Sequence, residues 1–374
     1  MTTNVQRFVD AVHTLGRAFA ERAAKHDRDG SFVAENYVEL KQHRFLSAPV
    51  PRELGGGGLS HSELCRVLRE LAHYCSSTAL ALSMHMHLVA TTVLRHRQGQ
   101  PGEALLRKVA TSELVLVSTG AGDWVDSVGR AEPVSGGYRI TAVKRFCSGV
   151  PAGDLLITSA PLEREGSTSE VLHFPVPLRA EGVSILDDWD TLGMRATGSH
   201  SVKLDGVFVP NEAIVLRRPR GEWHPFWNIV VTVAAPLFMA PYVGIAERAA
   251  AIARDAVAGR DPDPLVVLGL GELENELAAM QMAYREMVEL TNDYDVSPTL
   301  DHANRMLIRK TLTANAARAC VAKAMALVGG RAFYRSMDLE RLFRDVQGAA
   351  LHPLPERKQQ LFTGRLALGL APIG

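Results

Sequence analysis

The apolar positions divide the chain into three stretches of different period. Over residues 7–26 and 33–42 they recur at helical spacing with short polar breaks, and 62–74 and 77–95 read the same way. Residues 1–112 are therefore expected to form a helical domain. The pattern then changes to short β-rich runs: ELVLVST, GGYRITAVKRFCSG, DLLITSAPL, EVLHFPVPL, GVSILDDW and SVKLDGVFVP, punctuated by Gly, Pro and Asp. In the last run Val202 and Leu204 should face one way and Lys203 and Asp205 the other. Residues 113–213 thus predict a small β-barrel or sandwich. From 222 to 374 the helical period returns. Residues 228–257 are rich in Ala, Val and Leu, with Pro236 and Pro241 predicting an irregular or kinked start. Leu273, Leu277, Met280, Tyr284 and Met287 form one stripe; Ile308, Leu312, Ala316, Cys320, Ala324 and Leu327 form another. Such stripes fit a four-helix bundle, giving an α+β multidomain chain.

The stretch 329–358, GGRAFYRSMDLERLFRDVQGAALHPLPERK, stands apart. Gly329 and Gly330 close a long helical run. Ser336 is placed to cap the next helix, and Glu340 and Arg344 to pair on its face, worth only about 0.2–0.5 kcal/mol if exposed. Pro353 and Pro355 forbid further helix, and Pro353 biases His352 toward extended backbone. A histidine is thus presented on a short stiffened loop at the edge of a helical core.

Composition narrows the function classes. The 374 residues carry zero formal net charge, which leaves no electrostatic footprint for nucleic acid or an anionic membrane. Cys65, Cys75, Cys147 and Cys320 show neither a CxxC pair nor Cys/His ligand spacing, so no zinc site is expected and buried, reduced thiols of a cytoplasmic protein are. The first residues lack a signal pattern, and no apolar run is expected to span a bilayer. Four consecutive glycines, Gly55 to Gly58, invite a phosphate-loop reading, but no GK[ST] follows them.

Several motifs carry a resemblance. LGMRATGSHSVKLDGVFVP (192–210) is similar to LGMRxTxSxxVxFDDVxVP, VPRELGGGGLS to a glycine turn VPxxxGGxGLS, and GG followed by LERLFRD to a C-terminal signature, all of the acyl-CoA dehydrogenase superfamily. The resemblance covers nearly the whole chain and implies that superfamily's fold. In its dehydrogenases a catalytic glutamate stands eight residues after the Asp of RD; here that position is Pro353. A minority of the family places a glutamate on the first bundle helix, where this chain has Ala234. His352 instead matches a histidine of the group D flavin monooxygenases.

The resemblance implies further roles. In KRFCSG, Phe146 would pack near the flavin ring and Ser148 would hydrogen-bond its N5 edge. Ser118 and Thr119, in a shortened version of the family's TEPxAGSD, are flavin contacts, and Trp124 is either a pocket wall or core. A group D histidine on the fourth helix points at the flavin pocket. His85 and His87 lie about 200° apart there, so only one can face it, and His87 is favoured. Gly329 and Gly330 occupy the glycines of a cofactor-binding QxxGG run whose glutamine is replaced by Ala326. The Arg-x-x-Phe-Gly run is replaced by AGRDPDPLVVLG, and a further glutamine falls near Gly271. These departures imply weak FAD retention or use of FMN, taken up reduced.

His352, Ser148 and His87 are accordingly the candidate catalytic residues, and Phe146, Ser148, Ser118, Thr119, Gly329 and Gly330 the candidate flavin contacts. The expected function is a two-component monooxygenase using reduced flavin and O2, supplied by a separate flavin reductase and acting on a small molecule. The alternative is an acyl-CoA dehydrogenase that desaturates an acyl thioester with a non-standard base. The segment RRPRGEWHPFWN (217–228) would either line a pocket, with arginines for a CoA phosphate, or serve as a surface connector. By analogy the protein would be a homodimer or homotetramer.

Overall fold

A computed structural model describes residues 4–120, 122–162, 169–259 and 263–373. The N-terminal part is helical: α1 (Asn4–Asp29), α2 (Ala34–Gln42), α3 (His61–Ala72), α4 (Ser76–Arg97) and α5 (Glu103–Ser112). Ser60 caps α3 through a capping box with Glu63. The glycine turn before α3 is a close backbone approach: a Cβ on Gly56 would lie 2.2 Å from the carbonyl oxygen of Val50.

The middle part holds β1 (Leu116–Ser118), the short α6 (Gly122–Val125), β2 (Arg130–Val134), β3 (Gly137–Lys144), β4 (Leu155–Leu162), β5 (Glu170–Pro177), β6 (Val183–Ile185), β7 (Val202–Pro210) and β8 (Leu216–Pro219). They form two four-stranded sheets, ordered β1-β4-β5-β8 and β2-β3-β7-β6. Only β1 and β4 run parallel among these pairs. The alternation expected in β7 holds: Val202 and Leu204 are buried, while Lys203 and Asp205 are exposed.

The C-terminal part is built on α7 (Phe226–Val257), α8 (Pro264–Glu289) and α9 (Leu300–Val328), with α10 (Leu339–Val346) and α11 (Glu356–Ala367) packed against α9. Pro236 and Pro241 lie inside α7, which stays helical throughout. Side chains take up carbonyls in that stretch: His61 bonds Val233 at 2.8 Å, and the Tyr284 hydroxyl donates to Pro236 at 3.1 Å.

Four expectations need correction. Helices α4 and α7 are both long and apolar enough to cross a membrane, but 83% and 94% of their most apolar windows are buried inside the protein. They are core helices, apolar all round because neighbours surround them. The α8 stripe is buried as expected, whereas Leu312 of the α9 stripe is 55% exposed. Cys320 and Ala324 of that stripe are buried as expected, but in the first half of α9 the inner face runs through Met306, Leu307, Lys310, Ala314 and Ala317. Asp338, not Ser336, precedes α10, and no side chain caps that helix.

The fourth concerns Glu340–Arg344, which is not an isolated exposed pair. Arg344 bonds Glu340 at 2.8 and 3.0 Å, and it also grips Asp27 at the end of α1 at 2.6 and 2.9 Å and the Leu192 carbonyl at 3.1 Å. Next to it, buried Asp345 accepts from the Ser76 hydroxyl at the start of α4 and from the Met194 amide at 2.5 Å. Burial holds the Asp345 carboxyl above its ordinary range. Arg344 and Asp345 thus tie the N-terminal helices and the 192–194 loop of the β part to the bundle. All four cysteines are buried and free.

Candidate functional site

Two groups of side chains hold the residues that the sequence singles out. The first is on the helices. His352 follows α10 in the loop before α11, and its ring stacks on Phe238 of α7, with centroids 4.8 Å apart and planes 14° from parallel. Its Nε2 shares a 2.8 Å hydrogen bond with the Tyr242 hydroxyl, one helical turn further along α7. The imidazole is therefore turned inward. Burial, reinforced by the positive charge of Lys310 and by His87, pushes its pKa down to about 3, so it is neutral at physiological pH. Phe238, Tyr242, Lys310 and His87 face His352, and no carboxylate is among them.

The two histidines of α4 have separated roles. His85 is fully used: Nε2 donates to the Leu46 carbonyl at 2.9 Å and Nδ1 accepts from the Leu116 amide at 2.9 Å. It is a strut between α4, the 43–50 loop and β1. His87 lies close enough to His352 to lower its pKa, and its buried Nδ1 has no hydrogen-bond partner in the protein. Burial, then the neighbouring His85, pushes His87 down to about 4.

The second group is on the β part. β3 ends at Lys144, whose buried ammonium meets Asp123 at 2.7 Å and the Val128 carbonyl at 2.7 Å. This anchors the start of KRFCSG. Phe146 follows in the left-handed region, at φ 59°, and its ring stays 59% exposed, edge-on to Trp189 at 6.1 Å. Ser118, the last residue of β1, and Thr119 lead into Gly120, whose amide donates to the Arg145 carbonyl beside Phe146 at 3.0 Å. The Thr119 hydroxyl is bonded to Asp123.

Ser148 is one end of a hydroxyl chain. Ser148 and Ser199 lie 2.8 Å apart, Ser199 and Thr197 2.7 Å apart, and Thr197 donates to the Met194 carbonyl at 2.9 Å. Each hydroxyl has one proton. With that of Thr197 spent on the carbonyl, Ser199 donates to Thr197 and Ser148 donates to Ser199. Ser148 is left as an acceptor toward anything that approaches it from outside the chain.

Sequence reasoning missed Tyr242, Phe238, Thr197, Ser199 and Lys310. Thr197 and Ser199 lie inside the quoted LGMR motif and were legible there; Tyr242 and Phe238 sit on a helix with no polar face to phase it. Gly329 and Gly330 are not brought to either group. They lie exposed at the end of α9, and a Cβ on either would meet nothing within 4 Å. Of the arginines of 217–228, Arg218 is closed to a phosphate while Arg217 is exposed. Arg218 of β8 is 1% exposed and bonds His173 at 3.0 Å and the Val125 and Asp123 carbonyls at 2.7 and 2.8 Å. Arg217 bonds the Tyr138 hydroxyl at 2.7 Å, and Arg220 meets Asp126 at 2.5 Å. The Trp124 side chain and residues 260–262 lie outside the described residues.

An exposed aromatic ring at a strand end, a hydroxyl poised as acceptor, and a buried imidazole nitrogen with no partner in the protein are groups that suit a flat polar-edged heteroaromatic such as a flavin. Comparison with known proteins agrees. Residues 2–113 match the model of the acyl-CoA dehydrogenase N-terminal domain, and 237–356 that of its C-terminal domain. The chain is 30% identical to an L-evernosamine nitrososynthase from a Micromonospora species, covering 97% of this chain and 90% of that one. It is 25% identical to a dibenzothiophene monooxygenase of Mycolicibacterium goodii, over 92% of this chain and 89% of that one. Among solved structures it resembles KijD3 in complex with FMN and dTDP-3-amino-2,3,6-trideoxy-4-keto-3-methyl-D-glucose, with a TM-score of 0.89, 25% identity, and coverage of 99% of this chain and 95% of that one.

Proposed function

Because this chain belongs to the acyl-CoA dehydrogenase superfamily and is a flavin-dependent oxidoreductase, we propose that it is a two-component monooxygenase, receiving reduced flavin from a separate reductase and oxygenating a small molecule with O2. One observation carries this reading: a neutral, inward-turned His352, with no carboxylate against it among the described residues, beside the position where a desaturase would keep its glutamate. Desaturating an acyl thioester needs a base at the substrate α-carbon. Pro353 and buried Ala234 stand at the two positions the family uses for it.

The bound reduced flavin would activate O2 and supply one oxygen atom to the substrate. Ser148, as an acceptor, suits the N5–H of the ring, which the reduced flavin has and the oxidised form lacks. Phe146 with Trp189 would border the ring, and Ser118 and Thr119 would lie along its edge. The apolar surfaces of Phe238, Tyr242 and α4 would keep water from the reacting atoms. His352, held neutral, would take or return a proton there, with His87 contributing its unpartnered Nδ1. We favour FMN, since the runs that hold the adenylate half of FAD are missing. Gly329 and Gly330 would then serve a cofactor only across a subunit contact of a homodimer or homotetramer. Four buried free thiols suit a cytoplasmic setting.

The test mixes the protein with chemically reduced FMN and ¹⁸O2 against dibenzothiophene, a dTDP-linked 3-amino sugar and an acyl-CoA panel. Label should enter the sulfur or nitrogen compound, and His352→Ala should cut that incorporation by about 100-fold or more while the fold is kept. Bleaching of bound oxidised flavin by an acyl-CoA, with formation of the enoyl product, would overturn the proposal.

A further inference from the structure

Lys310 sits in the middle of α9 on its inner face and is only 1% exposed. Among the described residues no carboxylate is hydrogen-bonded to its ammonium. Two backbone carbonyls take that place, those of His352 at 2.9 Å and Leu354 at 3.2 Å. A buried ammonium is costly unless its protons are matched, so these bonds are not incidental. They also bracket Pro353 in a segment that belongs to no helix or strand, and Pro353 and Pro355 bring no N–H of their own. The backbone of the His352 loop is thus fastened to the bundle through Lys310, while the imidazole is fixed from the other side by Phe238 and Tyr242.

We propose that Lys310 is the positioning residue for His352, pinning the 352–354 backbone to α9 so that the imidazole is held against Phe238 and Tyr242. This rests on the reading of His352 given above and extends it to a residue that touches neither substrate nor cofactor. The charge of Lys310 adds to the effect. His352 is faced by Lys310 from α9, His87 from α4 and Tyr242 from α7, and the lysine helps burial to keep the ring neutral. Lys310 itself is pushed down to about 8 by burial, against the pull of Glu356 at the start of α11.

The test uses protein labelled with ¹³C in the histidine rings, the His352 signal being the one lost in His352→Ala. In the wild type it should not titrate between about pH 8 and pH 5. In Lys310→Met the freed, hydrated ring should titrate inside that window, and Lys310→Arg should restore the wild-type behaviour. Lys310→Met should also speed hydrogen peroxide release from the reduced-FMN complex after mixing with O2, by about tenfold, as expected for a displaced catalytic group. If Lys310→Met does not fold, Lys310→Gln keeps a donor without the charge and should show a smaller change of the same sign in both readouts. A His352 signal that stays silent in the folded variants overturns the inference. If His352→Ala itself leaves peroxide release unchanged, the reading of His352 has failed instead, and the titration still judges Lys310.

Discussion

At the scale of single residues, the site depends on contacts that leave no room for change. A Cβ on Gly348, two residues beyond α10, would lie 2.6 Å from the Tyr242 hydroxyl, the group that holds His352. Gly348→Ala should therefore push Tyr242 off the imidazole and cost about 1–3 kcal/mol of stability by overpacking. Adding Tyr242→Phe removes the atom in conflict, so the double variant should recover most of that loss. Urea unfolding of the four proteins in the cycle measures the coupling, and strictly additive costs would show that the two residues do not meet. His352 was legible in the sequence because prolines on its C-terminal side fix its setting and a motif fixes its position. Lys310 was not. The stripe drawn through Ile308, Leu312 and Ala316 missed the buried face in the first half of α9, where Lys310 sits, and a lysine at helical spacing is normally read as a solvated position. Tyr242 was hidden for the opposite reason, since α7 is apolar on every side and offers no phase against which a functional residue could stand out.

At the scale of elements, α10 is short, yet it joins three parts of the molecule. Arg344 is 18% exposed at the side chain and Asp27 10%, so their pair is largely desolvated. Contact with Asp27, then Glu340, holds the Arg344 guanidinium well above its usual range, which marks a strong interaction with the charged form. Arg344→Met leaves Asp27 and Glu340 without their cation and should cost about 3 kcal/mol, read as a lower urea midpoint. Because α10 leads directly into the His352 loop, the same change should loosen the site; a variant with unchanged stability would show the junction to be dispensable. The RD motif was visible in the sequence, but its meaning as a three-way joint was not, because Asp27, Ser76 and Met194 are far away along the chain. The same limit explains why α5, β2 and β8 went unread. Strand β8 pairs with β5 through residues that are mostly charged or proline, and buried Arg218 looks in sequence like one more surface cation. The elements with an unambiguous period, α8 and β7, were the ones whose faces came out as expected.

At the scale of the whole molecule, the buried histidines make acid the condition to which the protein is most exposed. His61, His85 and His87 are pushed down to about 4, and His173 and His352 to about 3, with burial the first cause in each. In the unfolded chain each returns to about 6.5. Between those values the unfolded state binds protons that the folded state refuses, so stability present above about pH 6.5 is lost as pH falls toward the folded values. His224 is pushed down by burial as well; Asp345 and Glu113, held above their ordinary range by burial, act in the opposite direction, but they are two groups against six. Going from about pH 7.5 to pH 5 should cost about 2 kcal/mol per histidine before that offset, and the urea midpoint should drop accordingly. The consequence reaches the site. His352 stays neutral in the folded protein throughout this range, so an acid loss of turnover should follow the loss of fold and not the titration of the imidazole. Turnover and urea midpoint measured on the same samples decide this. Activity that fell with an ordinary histidine midpoint while the fold stayed intact would mean that His352 is hydrated in solution and not packed between Phe238 and Tyr242.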